Sequence, residues 1–379
     1  MKCFIKRSVA VIGILLAAVW FCSGTCYGYD KDIYAQQEEI VGTDHIIQSV
    51  PAESRQLLNW DEPSVDLDLG EEVLSILQKT GSEGKTVFFS VIQVLMKIFI
   101  VVVICGFARG YADAMQSGYM ENIIRIAGIL AILSMTFGDF KSLLSMAITA
   151  IQDLNIFSKG MLPVMASAIA VSGAPTTSVV VSSVTMICFD FLVTAINSVF
   201  IPMVCAYLAI ITANCALGND MLLKLAGFIK WIITGALKLI MTVFISYLTV
   251  SGIIGGSVDS AVTKTAKFAL SGAVPVVGGI ISDATESLLS GAVILKNATG
   301  VFGLICVIAI CVIPFIHIGI NYLVFKGGTA VISPVCDNHL SKFISGIGDS
   351  LGMVLGMLGA CSIVVFFELI FSIVVGGRG

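Results

Sequence analysis

The chain has 379 residues, of which 57% are hydrophobic and only 12% charged, with a net charge of −4 and a mean hydropathy of +1.00. A soluble domain carries roughly a quarter of its residues as charges, so a soluble enzyme or binding module is excluded and an all-α, polytopic helical membrane protein is implied. No basic patch interleaved with aromatics occurs, which removes nucleic acid as a partner.

Residues 1–28 read as a signal peptide. Lys2, Lys6 and Arg7 precede the apolar run Val9–Phe21, and a small-residue stretch from Cys22 to Gly28 supplies the cleavage region. The alternative is an uncleaved anchor helix. Residues 29–86 form an acidic extracytoplasmic segment, with thirteen carboxylates against four lysines and arginines. Leu67, Val73, Leu74 and Leu77 have helical spacing within it. Gly81-Ser82-Glu83-Gly84-Lys85-Thr86 ends like a phosphate-binding loop, but its first glycine sits too close for the four-residue spacer that wraps phosphates. A solvated loop is expected there.

Residues 87–379 are a multi-span helical membrane domain. Apolar runs at 87–108, 121–138, 160–174, 177–197, 198–217, 226–250, 300–322 and 351–375 predict about seven to eight transmembrane helices, a span needing roughly 20 apolar residues. The charged stretch 140–158 reads as a helix lying at the interface. With the mature N-terminus outside, the inner loops hold Arg109, Arg125, Lys224, Lys230, Lys326 and Lys342, as the positive-inside rule asks.

Seven of the eleven cysteines lie in apolar runs, where a thiol is a small hydrophobe. No CxxC occurs and there are three histidines, so no metal site and no cofactor is expected. Five ionisable side chains fall inside spans, Lys97, Asp190, Lys238, His317 and Glu368. Each costs roughly 2.5–3.5 kcal/mol at mid-depth. One reading makes Asp190 and Glu368 the lining of a polar path, paired with Lys97 or Lys238; the other makes them packing groups, with Lys238 reaching water along its stem. Gly346, Gly348, Gly352, Gly356 and Gly359 place small residues along the last span, the pattern that lets helices approach closely. Gly346-Ile347-Gly348-Asp349 also matches the GxGD motif of intramembrane aspartyl proteases, with Asp190 as the second carboxylate that such chemistry requires.

The stretch 251–326 interrupts the apolar chain with glycines, a proline and charges. Pro275, Gly278 and Gly279 should break a helix. Beyond them Asp283 and Glu286 share a helical face opposite Ile281 and Leu288. This predicts a broken, re-entrant amphipathic segment near 265–299, lining a pore or lying on lipid, with the other spans built around it. Candidate pore or packing residues are therefore Asp190, Glu368, Pro275, Gly278, Gly279, Asp283 and Glu286.

The same stretch carries a resemblance. Thr265-Ala266-Lys267-Phe268, Val274-Pro275-Val276-Val277-Gly278-Gly279, Asp283-Ala284 and Val293-Ile294-Leu295-Lys296-Asn297-Ala298-Thr299-Gly300 resemble the signature of the stage III sporulation protein AE family. The resemblance implies a non-enzymatic, multi-pass component of the mother-cell-derived outer forespore membrane. It implies partners: the other stage III sporulation A proteins and, through the complex, stage II sporulation protein Q. That complex is likened to secretion systems and acts as a channel or feeding tube needed for late forespore gene expression. No catalytic residues come with the resemblance, and a homo-oligomer stays open.

Two other functions follow from the residues. A small-solute permease would use a mid-membrane site made from the Pro275 break, Asp190 and Glu368. An intramembrane protease would depend on Asp349.

Overall fold

The structure, a computed structural model, describes residues 69–114, 118–171, 175–218, 220–273, 278–334 and 337–375, without the side chains of 69–80, 82–83, 113, 118, 168, 171, 175–182, 220, 249, 251–298 and 374–375. Among the described residues every element is helical. In chain order these are α1 (Leu69–Ala114), α2 (Gly118–Val171), α3 (Pro175–Ala195), a π turn (Ile196–Phe200), α4 (Ile201–Leu217), α5 (Asp220–Ala273), α6 (Gly278–Ile332) and α7 (Asn338–Val375).

Six helices among the described residues are long and apolar enough to cross a membrane, where composition alone had indicated seven to eight. The difference has two causes. Runs 121–138 and 160–174 belong to one helix, because 139–159 does not turn. Its residues Phe140, Leu143, Ala147, Ile151, Leu154 and Phe157 recur at helical spacing and are buried, while the charges Asp139, Lys141 and Lys159 face outward. The expected interfacial helix over 140–158 is instead part of the packed core. Runs 177–197 and 198–217 are likewise one apolar helix, Ser183–Leu217. Pro202 has no N–H for the carbonyl of Ser198, and its ring would clash there in an α-helix. The π turn absorbs this, with the Ile201 N–H bonded to the Ile196 carbonyl, so the chain passes the proline without reversing.

Residues Gly81–Thr86 lie within α1. The loop expected there is helix, and the helix crosses the expected segment boundary at 86. α5 and α6, of 54 and 55 residues, bracket 274–277. Pro275 lies outside the described residues. Gly278 and Gly279 open α6, and Asp283 and Glu286 follow on its first turns, their side chains outside the description.

The helices run up and down. The α1–α2, α4–α5 and α6–α7 connections share one end of the bundle, as contacts among Arg109, Glu121 and Asp337 and between Arg125 and Ala216 show. α7 is the centre. It packs against α2, α3, α4, α5 and α6, and 67% of its apolar window is buried, with 56% for α6 and 17% for α1 and α5. The rest of the bundle is therefore built on the α6–α7 hairpin, which includes residues 278–326 of the 251–326 stretch.

Glycines set that hairpin. Gly348 stands against Phe325 and Lys326, Gly352 against Tyr322, and Gly359 against Phe315, so the two helices keep one antiparallel register. A Cβ at Gly352 would lie 2.8 Å from the Tyr322 ring, whereas one at Gly356 meets nothing within 4 Å. Further along, a Cβ at Gly303 would come within 2.7 Å of Met161, so α2 uses the same close approach. Four cysteines (Cys215, Cys306, Cys311 and Cys361) are buried and unpaired, as small hydrophobes would be.

Candidate functional site

Polar groups inside an apolar bundle gather at three levels. At the connection end, the Arg109 guanidinium pairs with Glu121 and, at 2.7 Å, with Asp337. Gly218 takes the left-handed conformation (φ 69°) that ends α4, its N–H donating to the Asn214 carbonyl at 2.7 Å. Arg125 donates to Asn122 at 2.8 Å and to the Ala216 carbonyl at 3.2 Å. These groups clasp all three connections together. The cleft beside them, about 30 Å³, has room for a water molecule and not for a solute.

About ten residues deeper, Asp349 of α7 accepts from Lys230 of α5 at 3.0 Å and from Lys326 of α6 at 2.7 Å. Lys326 also donates to Ser345 at 2.9 Å, and the Tyr207 hydroxyl of α4 lies 3.5 Å from the second Asp349 oxygen. Four helices thus meet on one carboxylate. Sequence reading had assigned Lys230 and Lys326 to inner loops; they sit within α5 and α6. The signal for this cluster was Asp349 alone, since lysines on different helices have no linear pattern.

Toward the other end lie the two carboxylates singled out from sequence. Asp190 of α3 is held by Lys159 of α2 at 2.6 Å, with Asn155 at 3.4 Å. Its partner is therefore Lys159, and not Lys97 or Lys238, which are exposed. Glu368 of α7 is 1% exposed. Ser158 of α2 donates to its Oε2 at 3.5 Å, and its Oε1 has no partner among the described residues. One turn of α2, Asn155 to Lys159, serves both carboxylates. Asp349 is held by two lysines and Asp190 by a third, so among the described residues these two carboxylates are not placed to share a proton, as aspartyl protease chemistry requires. Among the described residues no group of histidines, cysteines and carboxylates is placed to hold a metal ion.

The model of a family described as Stage III sporulation protein AE matches residues 64–377. The chain belongs to the stage III sporulation protein AE family. The stage III sporulation protein AE of Bacillus subtilis (strain 168) is 21% identical over 284 residues, which cover 75% of this chain and 71% of that protein. No solved structure matches.

For this member of the stage III sporulation protein AE family, the match runs through all six apolar helices and all three polar levels. A sporulation role and a multi-pass membrane architecture follow. Of the sequence candidates, the structure brings Asp190 and Glu368 to one segment of α2. Gly278, Gly279, Asp283 and Glu286 fall on the start of α6, more than 80 residues along the chain from either.

Proposed function

We propose that the protein is a non-enzymatic membrane subunit of the stage III sporulation A complex, a feeding-tube-like channel between mother cell and forespore that supports late forespore gene expression. The observation that carries this reading is the family match over residues 64–377, which includes the whole described helical bundle. Arg109, Arg125, Lys224, Lys230, Lys326 and Lys342 all lie toward the end that holds the three tight connections. By the positive-inside rule this end is cytoplasmic, and the acidic segment 29–86 is then outside, in the space between the two forespore membranes. Merging two pairs of apolar runs removes two spans, so this orientation is unchanged from the one read in sequence.

In this reading the segment 29–86 meets the other stage III sporulation A proteins and, through them, stage II sporulation protein Q. The stretch 251–299, reached by the long helices α5 and α6, supplies a broken polar element packed within the assembly. The membrane is the outer forespore membrane. The test is crosslinking from positions in 29–86 in sporulating cells, followed by purification under denaturing conditions. Adducts with stage III sporulation A proteins are expected; adducts with none of them would refute the reading.

The open Oε1 of buried Glu368 favours a second reading, a permease that moves a small solute alone. There, Glu368→Gln would stop transport in purified, reconstituted protein without any partner. In the channel reading the purified protein alone transports nothing.

A further inference from the structure

α1 is one of the two least buried of the six apolar helices, with 17% of its window covered. The centre of its outward face runs through Ser90, Gln93, Lys97, Ile100, Ile104 and Phe107, all exposed. The alternating steps of three and four residues put these side chains in one stripe along the helix. The cytoplasmic half is apolar, with Ile100 56%, Ile104 62% and Phe107 78% exposed. The other half mixes the polar Ser90, Gln93 and Lys97 with exposed Phe89 and Met96.

Lys97 is the unusual member. It lies twelve residues from Lys85 and twelve from Arg109, so about 18 Å of helix separates it from the charge on either side. A lysine stem of about 6 Å does not reach the interface from there by snorkelling. No carboxylate within 4.0 Å pairs with it among the described residues. Ionisable groups at this depth ordinarily face protein or water, and this one faces away from its own bundle.

We propose that the outward face of α1 docks a transmembrane helix of another protein, one that carries an aspartate or glutamate level with Lys97. A second copy of this chain fits poorly. Among the described residues its span carboxylates Asp190 and Asp349 already hold lysines, Glu368 is buried, and Asp153 lies thirty-two residues, about 48 Å, above Glu121. Exposed Asp139 is eighteen residues, about 27 Å, above Glu121, whereas Lys97 is about 18 Å above Arg109, the ion-pair partner of Glu121. The two are therefore some 9 Å apart in depth. The inference requires only that α1 spans the bilayer and does not depend on which complex the protein joins.

The experiment uses the full-length protein in the membranes of its sporulating host, with a photo-crosslinking amino acid at Ile100 or Ile104. In the wild-type background the probe should yield an adduct with one membrane protein whose apolar helix contains a mid-span carboxylate. Lys97→Leu, which suits lipid and preserves insertion, should lower that adduct about tenfold or more, and Lys97→Arg should keep it. Lys97→Glu should abolish it, and a carboxylate-to-lysine change in the captured helix should restore it. Adducts between two copies of this chain, adducts with lipid alone, or an adduct unchanged by Lys97→Leu would overturn the proposal. So would rapid modification of Lys97→Cys by a charged, membrane-impermeant thiol reagent, because the face would then line water.

Discussion

Removing the charge of Asp349 tests the bundle's central ion cluster. Its carboxylate holds Lys230 at 3.0 Å and Lys326 at 2.7 Å; the three side chains are 22%, 40% and 32% exposed. A fully exposed pair is worth roughly 0–1 kcal/mol, and stripping one partner from a buried pair costs about 3–5 kcal/mol. The intermediate exposure here places Asp349→Asn near a loss of about 2 kcal/mol, because two ammonium groups are left facing each other without a counter-charge. At about 2.1 cal/mol/K per residue over roughly 300 ordered residues, this lowers the thermal midpoint by about 3 °C. Adding Lys326→Met removes one of the stranded charges and should recover about 1 kcal/mol, the non-additivity expected of contacting groups. The assay is the surviving monodisperse fraction of detergent-solubilised protein after graded heating. The expected order is wild type, then the double variant, then Asp349→Asn. A single variant as stable as wild type, or a double variant no better than the single, would refute the argument. Loss of sporulation with an unchanged midpoint would instead point to chemistry at Asp349.

Two further predictions rest on packing. Gly352→Ala and Gly356→Ala should move in opposite directions, although both add one methyl to the same helix. The first meets the Tyr322 ring at 2.8 Å and should cost about 1–3 kcal/mol by overpacking, while the second meets nothing and should gain about 0.5–1 kcal/mol from helix propensity; thermal midpoints of the two variants decide it. Glu368→Met should raise stability by about 1–2 kcal/mol, because an unpartnered buried oxygen is replaced by apolar contact. A lower midpoint would reveal a partner for Oε1 supplied from elsewhere, and a gain in stability with loss of sporulation would mark Glu368 as functional.

Much of the fold was legible because composition decides it. A chain this apolar has few ways to satisfy its backbone except helices, and the lysine and arginine positions gave the same orientation before and after the span count changed. The six spans among the described residues differ from the seven to eight expected where a charged or polar stretch separates two runs. Asp139, Lys141, Asp153 and Lys159 lowered the windows over 139–159, yet the apolar positions Leu143, Ala147, Ile151 and Leu154 keep a continuous buried face through them. The runs 177–197 and 198–217 divide after Asn197, where the structure has a π turn that carries the helix on to Pro202. In both cases the deciding information is which face a residue occupies, and a window average discards it.

The polar sites were legible one residue at a time and illegible as sets. Asp190 and Glu368 stand out in any hydropathy profile, but Ser158 and Lys159, which bind them from one turn of α2, are unremarkable in sequence. The three glycines that meet α6 were visible as a pattern, whereas Gly356, in the same pattern, faces outward. Lys97 and Lys326 show why the environment must be seen. Both are single lysines in apolar runs, yet Lys326 turns inward onto Asp349 and Lys97 turns outward with no counter-charge among the described residues. A lysine satisfied within its own chain has a structural role that needs nothing else. An unsatisfied one at the middle of a span, on the face its bundle leaves open, is the group that the proposed partner helix would satisfy with a carboxylate of its own.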